Sequence, residues 1–250
     1  METVRAVLAR AREHEGEALV AAGRATPYTH RDIATGAWKA GNLLAHYGVG
    51  AGRPVAVAVG PKTPGPAAEA GRLGAAADPL LAMLGAMAAG GAVAPVRDGP
   101  VDAAALVAPA GWLDRFEPAP GTAVLAYGGP PADPAVAHFE RERWSENPVE
   151  PPEPVAPADP ALRGGAGSVS NRALVGAARD LAAEHGLGSG GTVRLAARVT
   201  SAGGFAAGVL APLVAGATVR PVADADLAAG EAALRIGDGD AASVAPGDVL

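Results

Sequence analysis

The sequence predicts an α/β fold: mainly parallel sheets flanked by helices, in two lobes. Three observations predict it. Short apolar runs, such as 54–59 and 92–96, lack polar alternation, the pattern of strands covered on both faces. Stretches with apolar residues at helical spacing stand between those runs. Glycine, proline and cap-forming residues punctuate the joins. Alternation of this kind builds a parallel sheet, because each helix carries the chain back to start the next strand in the same direction.

Taken in order, residues 3–14 read as a helix, with Thr3 as N-cap and Val4, Val7, Leu8 and Ala11 as its apolar stripe. A short strand is expected at 18–22. Thr29 and Asp32 form a capping box with Asp in place of the usual Glu. Ile33, Ala37, Ala40, Leu44 and Tyr47 give the following helix its buried face, and Gly48 ends it. Residues 54–59 are a strand. Residues 61–77, rich in Pro, Gly and Ala, have no period and read as a loop or insertion. Asp78 and Pro79 are expected as N-cap and N1 of a helix faced by Leu80, Leu81, Leu84 and Met87 and stopped by Gly90 and Gly91. A second strand covers 92–96. Segments 101–108 and 122–127 bracket a hairpin, or a helix and strand, around Trp112. Residues 138–144 form a charged helical turn anchored by Phe139 and Trp144. Trp38, Trp112 and Trp144 are expected to fill core gaps left by small side chains.

Residues 147–160 are proline-rich and acidic and read as a linker. They divide a first α/β lobe, 1–146, from a second, incomplete α/β lobe, 161–250. In the second lobe, 192–200 is an interior strand, 204–214 an apolar helix, Gly216 a turn and 217–222 a strand. The tail, 224–250, holds one helix and one edge strand or is loose.

The 250 residues carry a net charge of −6 and no basic cluster, which argues against a nucleic-acid surface. Only 4% are aromatic, so the core is built from Ala and Val. No cysteine is present, which excludes disulfides, thiolate metal sites and a cysteine nucleophile. The first residues are charged and amphipathic, unlike a signal peptide. Residues 199–219 lack charge, but Gly203, Gly204, Pro212 and Gly216 interrupt them, so no membrane span is expected. The five histidines show no i, i+4 pair, so no zinc site is supported, and His30 beside Asp32 reads as a cap neighbour. The acidic run 238–240 lacks the spacing of a calcium loop. A cytoplasmic location is expected.

Residues 159–186 hold the candidate site. Gly164, Gly165, Ala166 and Gly167 lead into Ser168, Ser170 and Asn171, and a helix with Leu174, Val175, Ala178, Leu181 and Ala182 on one face follows up to Gly186. Glycines that admit close approach, followed by the unpaired N–H groups of a helix start, favour an anion such as phosphate. The plain alternative is a surface turn with Ser168 or Ser170 as an ordinary cap. No base lies near either serine in sequence, so nucleophilic catalysis by them is unsupported.

Two stretches, "YTHRDIATGAWKAGNLLAHYGVGAGRPVAVAV" and "DPLLAMLGAMAAGGAVAPV", resemble the opening of the adenylate-forming enzymes, the AMP-binding acyl-CoA synthetases and their relatives. "SNRALVGAARDLAAEHGL" is similar to the helix after that family's phosphate loop. "RLAARVTSAGGFAAGVLAPLVAGATVRPV" is similar to the strand, helix and strand beyond it. The resemblance covers most of 28–96 and 159–222. It implies the N-terminal domain of an AMP-dependent synthetase, which couples a carboxylic acid to ATP and often passes the acyl group to coenzyme A.

The departures are as informative as the match. Only "RGGAGSVS" stands where the family has a Ser/Thr/Gly-rich loop ending in Pro-Lys-Gly. Gly165 falls at the lysine, Asn171 at a histidine before the helix, and Ser201 at a second histidine. The acidic Thr-Glu motif, the ribose-binding Asp and the C-terminal lobe with its lysine have no counterpart in the sequence. The expectation is a truncated, degenerate lobe without ligase activity of its own. It would bind a nucleotide, acyl or CoA-like ligand, with ATP or AMP and Mg as candidate cofactors. Alternatively it would accompany a full-length synthetase or a second copy of itself. Gly164, Gly165, Gly167, Ser168, Ser170, Asn171 and Ser201 are the expected ligand contacts; Arg163 and Arg172, which flank the loop, read first as solvated surface charges and second as partial substitutes for the lysine. The rival expectation is a divergent AMP-forming carboxylate–CoA ligase, active alone or with a partner chain. A purely structural or interaction protein with a closed cleft is the third.

Overall fold

The computed structural model describes residues 1–22, 24–62, 70–164 and 167–250. Helix α1 (Val4–Ala11) starts where Thr3 accepts a hydrogen bond from the Ala6 amide at 3.1 Å. After β1 (Glu17–Leu19) and β2 (Tyr28–Thr29), the capping box opens α2 (His30–His46). The Asp32 amide donates to Thr29 Oγ1 at 3.0 Å and the Thr29 amide to Asp32 Oδ2 at 2.9 Å. Strand β3 (Val55–Val57), helix α3 (Asp78–Ala88) and strand β4 (Val93–Pro95) follow. Every residue of α3 is buried, as an all-apolar helix requires. It crosses α2 at glycines. A Cβ on Gly85 would lie 2.6 Å from both the Ala37 carbonyl oxygen and the Gly41 nitrogen, so the two backbones touch.

Strands β5 (Gly99–Val101) and β7 (Phe116–Pro118) form a small parallel pair beside the main sheet. Between them run β6 (Ala105–Pro109) and a 3₁₀ turn (Ala110–Arg115) that buries Trp112. Then come β8 (Ala123–Tyr127), β9 (Ala137–His138) and α4 (Phe139–Ser145). β6 and β8 pair in parallel, so the region around Trp112 is the helix-and-strand alternative and not a hairpin. The second half runs β10 (Pro160–Gly164), β11 (Gly167–Ser170), α5 (Asn171–Glu184) and β12 (Thr192–Leu195). Helix α6 (Ala202–Phe205), a π turn (Ala206–Leu210), α7 (Ala211–Ala215), β13 (Thr218–Pro221) and β14 (Leu234–Ile236) complete it.

Two sheets result. One has seven strands in the order β11-β10-β4-β3-β6-β8-β9, the other five in the order β14-β12-β13-β1-β2. Within them only β10–β11 and β1–β2 are antiparallel, which is the α/β architecture expected. Strands from either side of 147–160 share both sheets: Leu162 pairs with Val93, and Leu19 with Val219. Among the described residues no helix is long and apolar enough to cross a membrane.

Some local expectations are corrected. Asp78 is the first residue of α3 and Ala77 its cap. The Asp78 carboxylate is drawn instead into buried ion pairs with Lys62 (3.2 Å) and Arg143 (3.3 Å). Trp38 and Trp112 are buried, but Trp144 is 80% exposed. It stands five residues after the buried Phe139, about 140° round a short helix that covers the sheet with one face. The apolar helix expected at 204–214 begins at Ala202. The tail supplies the edge strand β14, but among the described residues only 3₁₀ turns at Asp224–Asp226 and Pro246–Asp248. Of the 61–77 segment, 63–69 lie outside the described residues.

Candidate functional site

In the seven-stranded sheet the chain passes from β3 to β4 on one side, then crosses back over β3 to β6. Ligands of open α/β sheets bind outside the carboxyl ends of strands near such a reversal. A cleft of about 250 Å³ lies there, lined by Pro95, Val96 and Arg97 beyond β4, Arg163 and Gly164 at the end of β10, and Thr200. β4 and β10 are parallel, so their carboxyl ends reach the same edge. Thr200 comes from the segment after β12, in the other sheet. Its approach is set by the turn at Gly71, whose amide donates to the Val59 carbonyl and whose carbonyl accepts from the Val199 amide, both at 2.8 Å. Gly71 has φ +94°, and a Cβ there would lie 2.7 Å from Thr200 Oγ1, so a side chain at 71 would push the threonine aside.

The expected ligand residues divide by position. Gly164 lines the cleft. Gly165 and Ala166 lie outside the described residues. Gly167, at φ +122° with open space around it, and the exposed Ser168 follow on β11, where Ser168 pairs with Arg163. Gly164 and Gly167 therefore pair at the end of the β10–β11 hairpin, and strand β11 separates them from the helix start. Ser170 is the N-cap of α5, accepting from the Ala173 amide at 3.2 Å. Asn171 is buried: Oδ1 accepts from the Val4 amide at 3.0 Å and Nδ2 donates to the Asp159 carbonyl at 3.1 Å. Ser201 caps α6, accepting from the Gly204 amide at 3.1 Å and donating to the Arg198 carbonyl at 3.3 Å.

Of the two flanking arginines, Arg163 reaches the cleft, and its buried Nε has no hydrogen-bond partner among the described residues. Arg172 turns away to Glu2 at 3.1 Å. Sequence reasoning passed over Arg97 and Thr200. The signal for Arg97 is its place just past an apolar strand, but only the pairing of β10 with β4 sets it beside Arg163. Neither lysine of the chain lines the cleft: Lys62 pairs with Asp78, and Lys39 donates to the Trp144 carbonyl at 2.7 Å. Two guanidinium groups and a hydroxyl suit a phosphate or carboxylate. Among the described residues the lining contains no carboxylate, and no cluster of His, Asp or Glu could hold a metal ion. A protein-held Mg²⁺ does not fit this donor set, because that ion takes carboxylate and phosphate oxygens.

No protein-family model and no curated protein matches the sequence. Solved structures do match the fold. The nonribosomal peptide synthetase FmoA3 superposes with a TM-score of 0.65 at 20% identity, over 88% of this chain and 22% of that one. The anthranilate CoA ligase AuaEII, in complex with anthranoyl-AMP, gives 0.69 at 14% identity, over 87% and 44%. The N-terminal domain of FACL13 from Mycobacterium tuberculosis gives 0.63 at 10% identity, over 89% and 57%. The chain thus spans between about a fifth and somewhat more than half of these chains. It has the fold of the N-terminal domain of the adenylate-forming enzymes.

Proposed function

We propose that the chain is a degenerate member of the adenylate-forming fold, a pseudoenzyme that binds the phosphate end of a nucleotide at the β4–β10 cleft without performing ligation. One observation carries the reading: the cleft presents Arg97, Arg163, Gly164 and Thr200, while both lysines are paired elsewhere. In the attack of a carboxylate on ATP, negative groups converge and charge builds on the phosphoryl oxygens. Catalysis is then mostly positioning and neutralisation of that charge. Two arginines hold an anion in its ground state, but nothing in the lining adds a cation as the transition state forms. Gly164, Gly167 and Ser168 are assigned to the ligand side, and Ser170, Asn171 and Ser201 to holding the surrounding helices. The cleft falls just below the usual ~300–1,000 Å³ of small-molecule sites. It accommodates a phosphoryl group and its immediate attachment more readily than a complete acyl-adenylate.

The test pairs two assays on the full chain. Pyrophosphate exchange with ATP and a panel of carboxylic acids is expected to stay at background. AMP is expected to raise thermal stability, since a ligand that binds only the folded state stabilises it. Arg163→Gln should weaken that binding about tenfold or more, the loss of one charge-assisted contact of ~1.5–3 kcal/mol. Robust exchange by the isolated chain would overturn the noncatalytic reading. Unchanged AMP affinity in Arg163→Gln would remove the cleft from it.

A further inference from the structure

Two histidines that the cleft does not involve meet at the opposite end of α1. His30 is the first residue of α2 and fully buried, and its ring meets His14, just past α1, with centroids 5.4 Å apart and planes at 67°. Among the described residues the buried Nε2 of His14 has no hydrogen-bond partner, and the buried His30 ring makes no side-chain hydrogen bond. Gly216, the left-handed residue between α7 and β13, closes the pocket. A Cβ there would stand 3.0 Å from His14 Nδ1 and 2.9 Å from Ser189 Oγ. The contact therefore ties the end of α1 to the start of α2 and to the α7–β13 turn.

The His30 ring fits this contact while neutral. A proton on His30 would place charge in a buried site, at the positive end of α2, against a second imidazole. Burial first, and the neighbouring His14 second, lower the His30 pKa from 6.5 to about 4, with only the Gly216 backbone acting in the other direction. The remaining ionisable side chains on the packed elements are engaged with one another or exposed. Arg10 pairs with Glu13, Glu17 with Arg220, and Asp32 with the cap of α2. Arg12 lies over Trp38, Glu15 and Arg31 are exposed, and His185 ends α5.

The other end of α1 bears on the cleft. The Val4 amide donates to Asn171, which in turn holds the Asp159 carbonyl at the base of the β10–β11 hairpin. We propose that the His14–His30 contact is an acid-sensitive latch: closed while His30 is neutral, it opens on protonation of that ring and releases α1, and with it the support of the hairpin that carries Arg163. The latch stands whether or not the cleft binds a nucleotide.

The experiment is hydrogen exchange on the full chain from pH 7.5 to 4.5, corrected for intrinsic rates, followed in peptides covering 4–16. Between pH 6.5 and about 4 the open form binds a proton that the closed form refuses. Exchange in α1 is then expected to rise up to tenfold per pH unit, ahead of peptides from β3 and α3. His30→Leu keeps the volume and removes the titration, so its α1 exchange should be flat. If that variant does not fold, His14→Phe takes its place, with the ring titration of His30 followed by NMR in the unaltered chain. Flat α1 exchange in the unaltered chain, an unchanged pH dependence in a folded variant, or His30 titrating at its ordinary value each overturns the latch.

Discussion

Asn171→Ala separates a ligand contact from a structural one. The side chain makes two buried hydrogen bonds, accepting from Val4 at 3.0 Å and donating to Asp159 at 3.1 Å. Each such bond contributes ~0.5–1.5 kcal/mol net, and a buried donor left without a partner costs ~1–3 kcal/mol. Truncation removes both bonds and orphans the Val4 amide, at the positive end of α1, so the expected loss is about 2–4 kcal/mol. In a chain of this size that lowers Tm by roughly 5–15 °C. Urea unfolding at pH 7.5 measures the loss, and AMP titration of the folded variant measures binding. The reasoning predicts a large stability change with affinity altered less than threefold. Stability within ~0.5 kcal/mol of the parent, together with AMP binding reduced tenfold, would show that Asn171 faces a ligand and that the geometry has been misread.

The other predictions concern packing. Gly85→Ala forces a methyl to within 2.6 Å of backbone atoms of α2, and overpacking of this kind should cost at least ~1–3 kcal/mol, measured by denaturant midpoint. Trp112→Ala should cost ~3–5 kcal/mol, since the side chain is 1% exposed and lies over Gly60. Trp144→Ala, at 80% exposure, should stay within ~0.5 kcal/mol, and a larger loss would return Trp144 to the core role that the sequence suggested.

The helices were legible because their signals are local. Thr3, Thr29 with Asp32, and Ser170 each stand three residues or fewer from the amide they accept from. The apolar stripes of α1, α2 and α5 were readable for the same reason: a period needs only its own segment. Asp78 misled because its short acidic side chain suits a cap in isolation, while the fold supplies Arg143 from a distant helix and Lys62 from the segment after β3. Trp144 misled because a tryptophan in an aromatic-poor chain looks like core. Its exposure depends on which side of a two-turn helix meets the sheet, and Phe139 decides that. Strand partners carried no local signal. Nothing near Leu19 points to Val219, and nothing near Val93 points to Leu162.

The candidate site was half legible for this same reason, and the missing half changes its chemistry. Read along the chain, residues 163–171 are a glycine loop with serines and without the lysine of the related motif. Paired across the sheet, the same loop gains Arg97 from β4 and Thr200 from the second sheet. The site is therefore not devoid of positive charge; it holds charge of a different kind. A guanidinium keeps a planar fork of donors whose geometry matches a phosphate already in place, whereas an ammonium is a compact charge on a flexible stem. Contacts that hold ground state and transition state equally well give affinity without acceleration. Arg163 on the β10 hairpin and Arg97 just past β4, with the chain's only lysines tied to Asp78 and the Trp144 carbonyl, favour the first effect over the second. On the proposed reading, binding without turnover would rest on where the cations stand rather than on their number.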